Sequence, residues 1–248
     1  DAVKVANGDI IFFIDDDSEV SPDGISALSE TFEDKNVVGA GLAFKNVSQK
    51  KYSHSLILVK VLSNFYGLIF RLSHRTNHRK VMLSGMNTGS SIKTNSGEIV
   101  QWLSGCSMAY KKQIFREFSL EEKLERFGGY AIYEDIQFSH KLYRNKMKIV
   151  IAQNGYVIHH EVKGGRLQKE SRFSALIYNR YIVWETAIFP YNKLSIFVYS
   201  WSLMGEVLIH YLKGILTLNK YEIKGINIGL TAIFSDFLHS IRKQFKKR

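Results

Sequence analysis

Proline and cysteine are almost absent. The 248-residue chain has two prolines, Pro22 and Pro190, and one cysteine, Cys106. A single thiol excludes an intrachain disulfide and fits a reducing compartment. So few prolines, with no low-complexity tract and 45% hydrophobic residues, exclude extensive disorder away from the ends. Acidic residues are in deficit, with 23 Asp and Glu against 34 Lys and Arg and a formal charge of +11. The excess is densest in "RLSHRTNHRK" (71–80) and "IRKQFKKR" (241–248). Such a balance suits nucleic acid, an anionic membrane surface or a phosphorylated substrate. Zinc-finger spacing, RNP-like aromatic motifs and helix-turn-helix signals are missing, so no nucleic-acid partner is expected. A clean membrane span is missing too. Ser55–Leu72 is apolar enough to attract attention, but Lys60 and Asn64 interrupt it, which favours a buried or interfacial helix. No signal peptide is visible, and the opening "DAVKVANGD" reads as a helix end followed by a turn.

What is present is an α/β pattern. Ile10–Ile14 is a continuous apolar run, expected as a strand buried on both faces of a parallel sheet. "SPDGISALSETFED" follows, with Ser21 placed to N-cap a helix and Pro22 at its first position. "NVVGAGLAF" (36–44) reads as the next strand. Residues 81–110 break into short β-like pieces among Gly, Ser and Asn, as in loops shaped around a ligand. "YEDIQFSHKLYRNK" (133–146) reads as a helix starting at its acids, and 147–160 as two short strands. Helical patterns then occupy roughly 167–188, 194–217 and 224–240. The middle one carries Glu206, His210 and Lys213 in an apolar background, which argues against a span and fits an interfacial helix beside a basic tail.

Four clusters carry possible chemistry: Asp15-Asp16-Asp17, the Trp102–Cys106 segment "WLSGC", Glu134-Asp135, and His159-His160. Three adjacent carboxylates repel one another unless a cation or donors face them. If the strand conformation persists, Asp15 and Asp17 share a face and Asp16 points away, toward a donor on the adjoining loop. The same alternation forbids His159 and His160 from facing one site. Asp135 at a helix start would gain from the helix dipole, and the ordinary alternative for this acid pair is N-capping. Trp102 has core packing as its ordinary role, and Cys106 reads as a small buried residue.

In this order the segments "NGDIIFFIDDDSEVSPDGI", "VQWLSGCSMAYKKQIF", "FGGYAIYEDIQFSHKLYRNKMKIV" and "YVIHHEVKGGR" with "YNRYIVW" resemble the family 2 glycosyltransferases of the GT-A fold. The resemblance implies a Rossmann-like mixed sheet flanked by helices. It also implies a nucleotide-sugar donor, a divalent ion (Mg²⁺ or Mn²⁺) and inversion at the anomeric carbon. It makes Asp135 the catalytic base and gives the metal to Asp17 and His159. Asp15, Asp16, Trp102, Gly105 and Arg166 become donor-binding candidates, Glu134 a positioning group, and Arg180 a helper near the diphosphate. The family's first βαβ segment has no counterpart here, so the chain is expected to begin inside the domain. The expected division is a catalytic domain over 1–188 and C-terminal helices over 189–248. The expected setting is cytoplasmic, peripheral on the inner face of the cell membrane, with a glycan or lipid-linked acceptor. The rival readings are a metal-dependent nucleotidyltransferase and a non-catalytic membrane-associated binding protein.

Overall fold

The computed structural model describes residues 2–46, 57–73, 78–89, 97–128, 131–160 and 168–245, with backbone alone at 45–46, 57–61 and 241–245. A short helix α1 (Ala2–Val5) leads into β1 (Ile10–Phe13), β2 (Ser18–Val20), α2 (Gly24–Glu33) and β3 (Val37–Asn46). Helix α3 (Ile57–Ile69) follows, then the strands β4 (Lys80–Val81), β5 (Asn87–Thr88) and β6 (Met108–Lys111). After two 3₁₀ turns come α4 (Glu134–Arg144), β7 (Lys148–His159), α5 (Lys169–Ala187), α6 (Ser195–Leu216) and α7 (Lys220–Phe245). The helices expected between 36 and 240 are represented, and the mixed, helix-flanked sheet is consistent with the GT-A α/β architecture.

The main sheet has the order β1-β6-β3-β7-β2, and β4 with β5 forms a separate ribbon. Only the β3–β7 pair is parallel; β1–β6, β3–β6 and β2–β7 are antiparallel. β1, β3 and β7 therefore run the same way, and their carboxyl ends share one edge. Four residues, Ile14–Asp17, join the two outermost strands, β1 and β2. That length spans at most about 3.6 Å per residue, against strand spacings of about 4.8 Å, so the sheet must curl at this edge.

Three expectations are corrected. First, β1 is an outer strand paired antiparallel with β6, not a central parallel one, and Ile10 and Ile14 at its ends are exposed. Its apolar run covers one side of the core and ends one residue early, where the acids turn the chain.

Second, Ser21 and Pro22 do not start α2. Ser21–Gly24 is a turn, closed by the Gly24 N–H on the Ser21 carbonyl at 2.8 Å. The helix begins at Gly24 behind Asp23. The Ser21 hydroxyl instead accepts the Tyr156 N–H at 3.0 Å, tying the turn to β7.

Third, 147–160 is one strand, not two. Its pairing with β3 jumps from Gly41↔Ile151 to Ala43↔Tyr156, and Asn154 in this irregularity has φ of 64°. A Cβ on Gly155 would lie 2.7 Å from Leu42 Cδ2 and 3.0 Å from Gly24 Cα, so only glycine allows that approach to α2.

The core forms on both faces of the sheet. Ala27, Leu28 and Phe32 of α2 pack on Leu42, Val150 and Val157. On the opposite face Phe138 and Leu142 of α4 meet Leu103, Tyr110, Ile149 and Ile151. Each such burial contributes about 1.5–3 kcal/mol. A third cluster joins α5, α6 and α7 through Ile177, Tyr181, Trp184, Tyr199 and Ile226. Gly225 and Gly229 place the backbone of α7 against α5, where any Cβ would lie 2.6 Å from the Glu170 carbonyl and 2.9 Å from that of Ser174.

Candidate active site

The three acids lie past the end of β1, in a turn closed by the Ser18 N–H donating to the Asp15 carbonyl at 3.1 Å. This turn, not a continuing strand, gathers two of them. The His160 N–H donates to the Asp17 carbonyl at 2.9 Å and pins the turn to the end of β7. His159 Nε2 then lies 3.0 Å from Asp17 Oδ1 and 3.9 Å from Asp15 Oδ2. One ligand atom from each of Asp15, Asp17 and His159 falls within a 4.8 Å group. Asp16 is exposed and outside it. Strand alternation does separate the histidines: His160 Nε2 faces Glu19 Oε2 at 3.4 Å.

Partial burial raises the Asp15 carboxyl above the usual range; His159 opposes this, and Asp17 and Asp16 add to it. Two hard carboxylates and one imidazole make a donor set that fits a divalent cation, with the imidazole favouring Mn²⁺ over Mg²⁺.

Asp135 sits in the first turn of α4. Its Oδ2 accepts the Gly105 N–H at 2.9 Å and its Oδ1 the Ile136 N–H at 2.8 Å. Burial pushes this carboxyl up; the two backbone donors pull it back, and the charge on Asp15 raises it further. The cap position belongs to Tyr133, which makes no side-chain cap bond and has φ of 73°. A left-handed tyrosine costs roughly 1–3 kcal/mol, held here by the packing around it.

Ser139, one turn along α4, anchors the segment. Its hydroxyl bonds to the Asp135 carbonyl at 2.6 Å, receives the Leu103 N–H at 3.0 Å and meets Tyr110 Oη at 2.8 Å. Glu134 is pushed up to about 7 by burial, helped by Asp135, Glu125 and Asp15. The field of Asp15 thus reaches both acids of α4.

The segment between these groups is less open than its composition implies. Trp102 is buried, with Nε1 donating to the Thr88 carbonyl at 3.0 Å. A Cβ on Gly105 would meet only ordinary contacts from Asp135, so this residue contributes its N–H rather than its lack of a side chain. Cys106 is buried and its thiol pushed up to about 11, far from a reactive thiolate.

Arg180 is fully buried in an ion pair with Glu206 at 2.5 Å, and also donates to Ser84 O and Ser202 Oγ. Its charge is thereby committed within the helical layer. Arg166 lies outside the described residues.

Sequence reasoning missed Arg79, which lies in the basic stretch 71–80 and was singled out there only as part of its charge. It is 1% exposed, with its guanidinium 5.1 Å from the Trp102 ring and 5.7 Å from that of Phe44. Among the described residues none of its guanidinium nitrogens has a hydrogen-bond acceptor. Burial lowers it to about 10, while Cys106, Asp135 and Glu98 favour its charge. Only the aromatic residues that enclose it, distant in sequence, distinguish it from its exposed neighbours.

Residues 1–117 match the model of the family described as Glycosyl transferase family 2. Over that stretch the chain is similar to the family 2 glycosyltransferases. A search of curated proteins found no match. The matched stretch holds Asp15, Asp17, Trp102, Gly105 and Cys106; α4 and β7 then bring Asp135 and His159 to the same end of the sheet. That family implies a nucleotide-sugar donor and a glycan acceptor, and its enzymes commonly use a divalent metal.

Proposed function

We propose that the enzyme transfers one sugar, with inversion at the anomeric carbon, from a nucleotide-diphosphate sugar to a hydroxyl of a glycan or lipid-linked saccharide. The observation that carries this reading is the Asp15, Asp17 and His159 group at the carboxyl edge, facing an acid pair on α4 across the same electrostatic field. In open α/β sheets, ligands settle at that edge.

Asp15, Asp17 and His159 would hold Mg²⁺ or Mn²⁺, and a bound ion supplies charge neutralisation for a diphosphate leaving group. Asp135 is the general base. Its two oxygens are fixed by the Gly105 and Ile136 N–H groups, and burial raises its proton affinity above that of a solvated aspartate. It takes the acceptor hydroxyl's proton as oxygen attacks the anomeric carbon, on the face opposite the departing nucleotide. Glu134, close to half-protonated near neutrality, orients the acceptor by hydrogen bonding. Residues 1–188 form the catalytic domain, and the helices within 189–248 hold the enzyme on the inner face of the cell membrane.

The test is a panel of UDP-, GDP- and dTDP-sugars with Mn²⁺, monitored by nucleotide release. Asp17→Asn is expected to weaken metal-dependent nucleotide binding, and Asp135→Asn to lose turnover with donor binding retained. Absence of release from every donor, together with unchanged nucleotide affinity in Asp17→Asn, overturns the reading.

A further inference from the structure

We infer that the enzyme docks on an anionic bilayer through one continuous apolar face built from α3 and α6. This deepens the peripheral placement proposed above by naming the surface and its partner.

Helix α6 is inverted relative to an ordinary surface helix, which turns polar residues to solvent. Its exposed positions include Phe197, Trp201, Met204, Leu208, Leu212 and Ile215, spaced at three and four residues along one face. Of all its exposed positions only Ser200 and Lys213 are polar. Its buried side instead holds Ser195, Ser202 and Glu206. Phe197 is 72% exposed and Trp201 45%.

Helix α3 extends this face with exposed Leu62, Phe65, Leu68 and Ile69. The two helices are locked together. Trp201 Nε1 donates to the Ile69 carbonyl at 2.8 Å, and Tyr66 Oη to the Gly205 carbonyl at 2.6 Å. Phe70 stacks on Trp201 with ring centroids 5.0 Å apart, in space that a Cβ on Gly205 would fill. Contiguous exposed apolar side chains of this kind mark interaction surfaces.

No helix among the described residues is long and apolar enough to cross a membrane. An outward apolar face of this kind lies in the interface plane instead. The charges choose the occupant. Arg71, Lys193, Lys213 and Lys220 are all exposed at or beside the ends of α3 and α6, on a chain of formal charge +11. Anionic headgroups complement that rim. A second copy of the chain would set the same cations against one another.

The docked face also reaches the site. Ser202 and Glu206, on the inner side of α6, hold Arg180, which donates to the Ser84 carbonyl in the connection between β4 and β5. The Thr88 carbonyl at the end of β5 then fixes Trp102.

The test uses the full chain with vesicles of phosphatidylcholine, with and without phosphatidylglycerol, including lipids brominated in the upper acyl chain. The expected result is flotation with anionic vesicles and bromine quenching of tryptophan emission that Trp201→Phe removes, since Trp102 and Trp184 are buried. Phe197→Glu with Leu208→Glu lowers partitioning at least about tenfold. Lys193→Gln and Lys213→Gln each lower it about fivefold on anionic vesicles only. Equal binding to neutral and anionic vesicles overturns the inference. So does absence of binding, with or without a dimer that shields Trp201 from an aqueous quencher. Nucleotide release by the same variants reports separately on the transferase reading, because Phe197 and Leu208 stand outside the catalytic group.

Discussion

Two sets of charges in this molecule are treated in opposite ways. In the helical layer, Arg180 and Glu206 are both buried and pressed together, and Glu222 is buried against His210 at 2.7 Å. At the carboxyl edge of the sheet, Asp15, Asp17, Glu134 and Asp135 gather negative charge with His159 as the nearest cationic partner of the pair on the turn. The first set pairs opposite charges within the helical layer and belongs to the architecture. The second crowds acids of like sign beside His159, and Asp15, Glu134 and Asp135 in it are raised above their ordinary ranges, a pattern found at functional sites. Burial alone does not identify function; the sign balance within the buried group does.

The largest effect that separates the two sets is catalytic. Asp135→Asn should reduce turnover on the order of a hundredfold to ten-thousandfold while the protein stays folded, measured by nucleotide release and circular dichroism. The next is structural: Glu206→Ala strands Arg180 in a buried site and should cost about 3–5 kcal/mol in urea unfolding. A third joins metal to stability. Saturating Mn²⁺, at about a hundredfold over its dissociation constant, should stabilise the wild type by roughly 2.7 kcal/mol. The same addition should leave the melting midpoint of Asp17→Asn nearly unmoved.

The smallest effect is a pH response. Glu134 is held at about 7, above an ordinary glutamate. In acid, folded and unfolded chains both carry its proton and nothing is lost. As pH rises toward that value the unfolded chain ionises first, and stability falls. Glu134→Gln should therefore raise the melting midpoint at about pH 8 and leave it nearly unchanged at about pH 4. An equal rise at both values would assign the effect to packing instead.

Much of this was readable before any coordinates. The apolar runs at β1 and β3 announced strands, because short, wholly apolar runs between turn residues leave few other options. The geometry of Asp15 and Asp17 was not readable in the same way. Period-two alternation brought them together on paper, whereas a turn closed by Ser18 does so in the structure. Ser21 and Pro22 misled for a related reason: Ser-Pro-Asp-Gly satisfies a turn as well as a helix start, and the hydroxyl's partner, Tyr156, is remote in sequence. Arg79 was illegible because an arginine's burial depends on which rings enclose it, and Phe44 and Trp102 come from separate parts of the chain.

Ser139 carries a consequence for redesign. One hydroxyl bonds the Asp135 carbonyl, the Leu103 N–H and the Tyr110 phenol at once. Asp135 thus takes its position from the sheet interior through Ser139 as well as from the Gly105 N–H. Surface loops remote from Gly105 and Ser139 can therefore be exchanged without moving the Asp135 carboxylate. The catalytic apparatus behaves as a fixed chassis with interchangeable fittings.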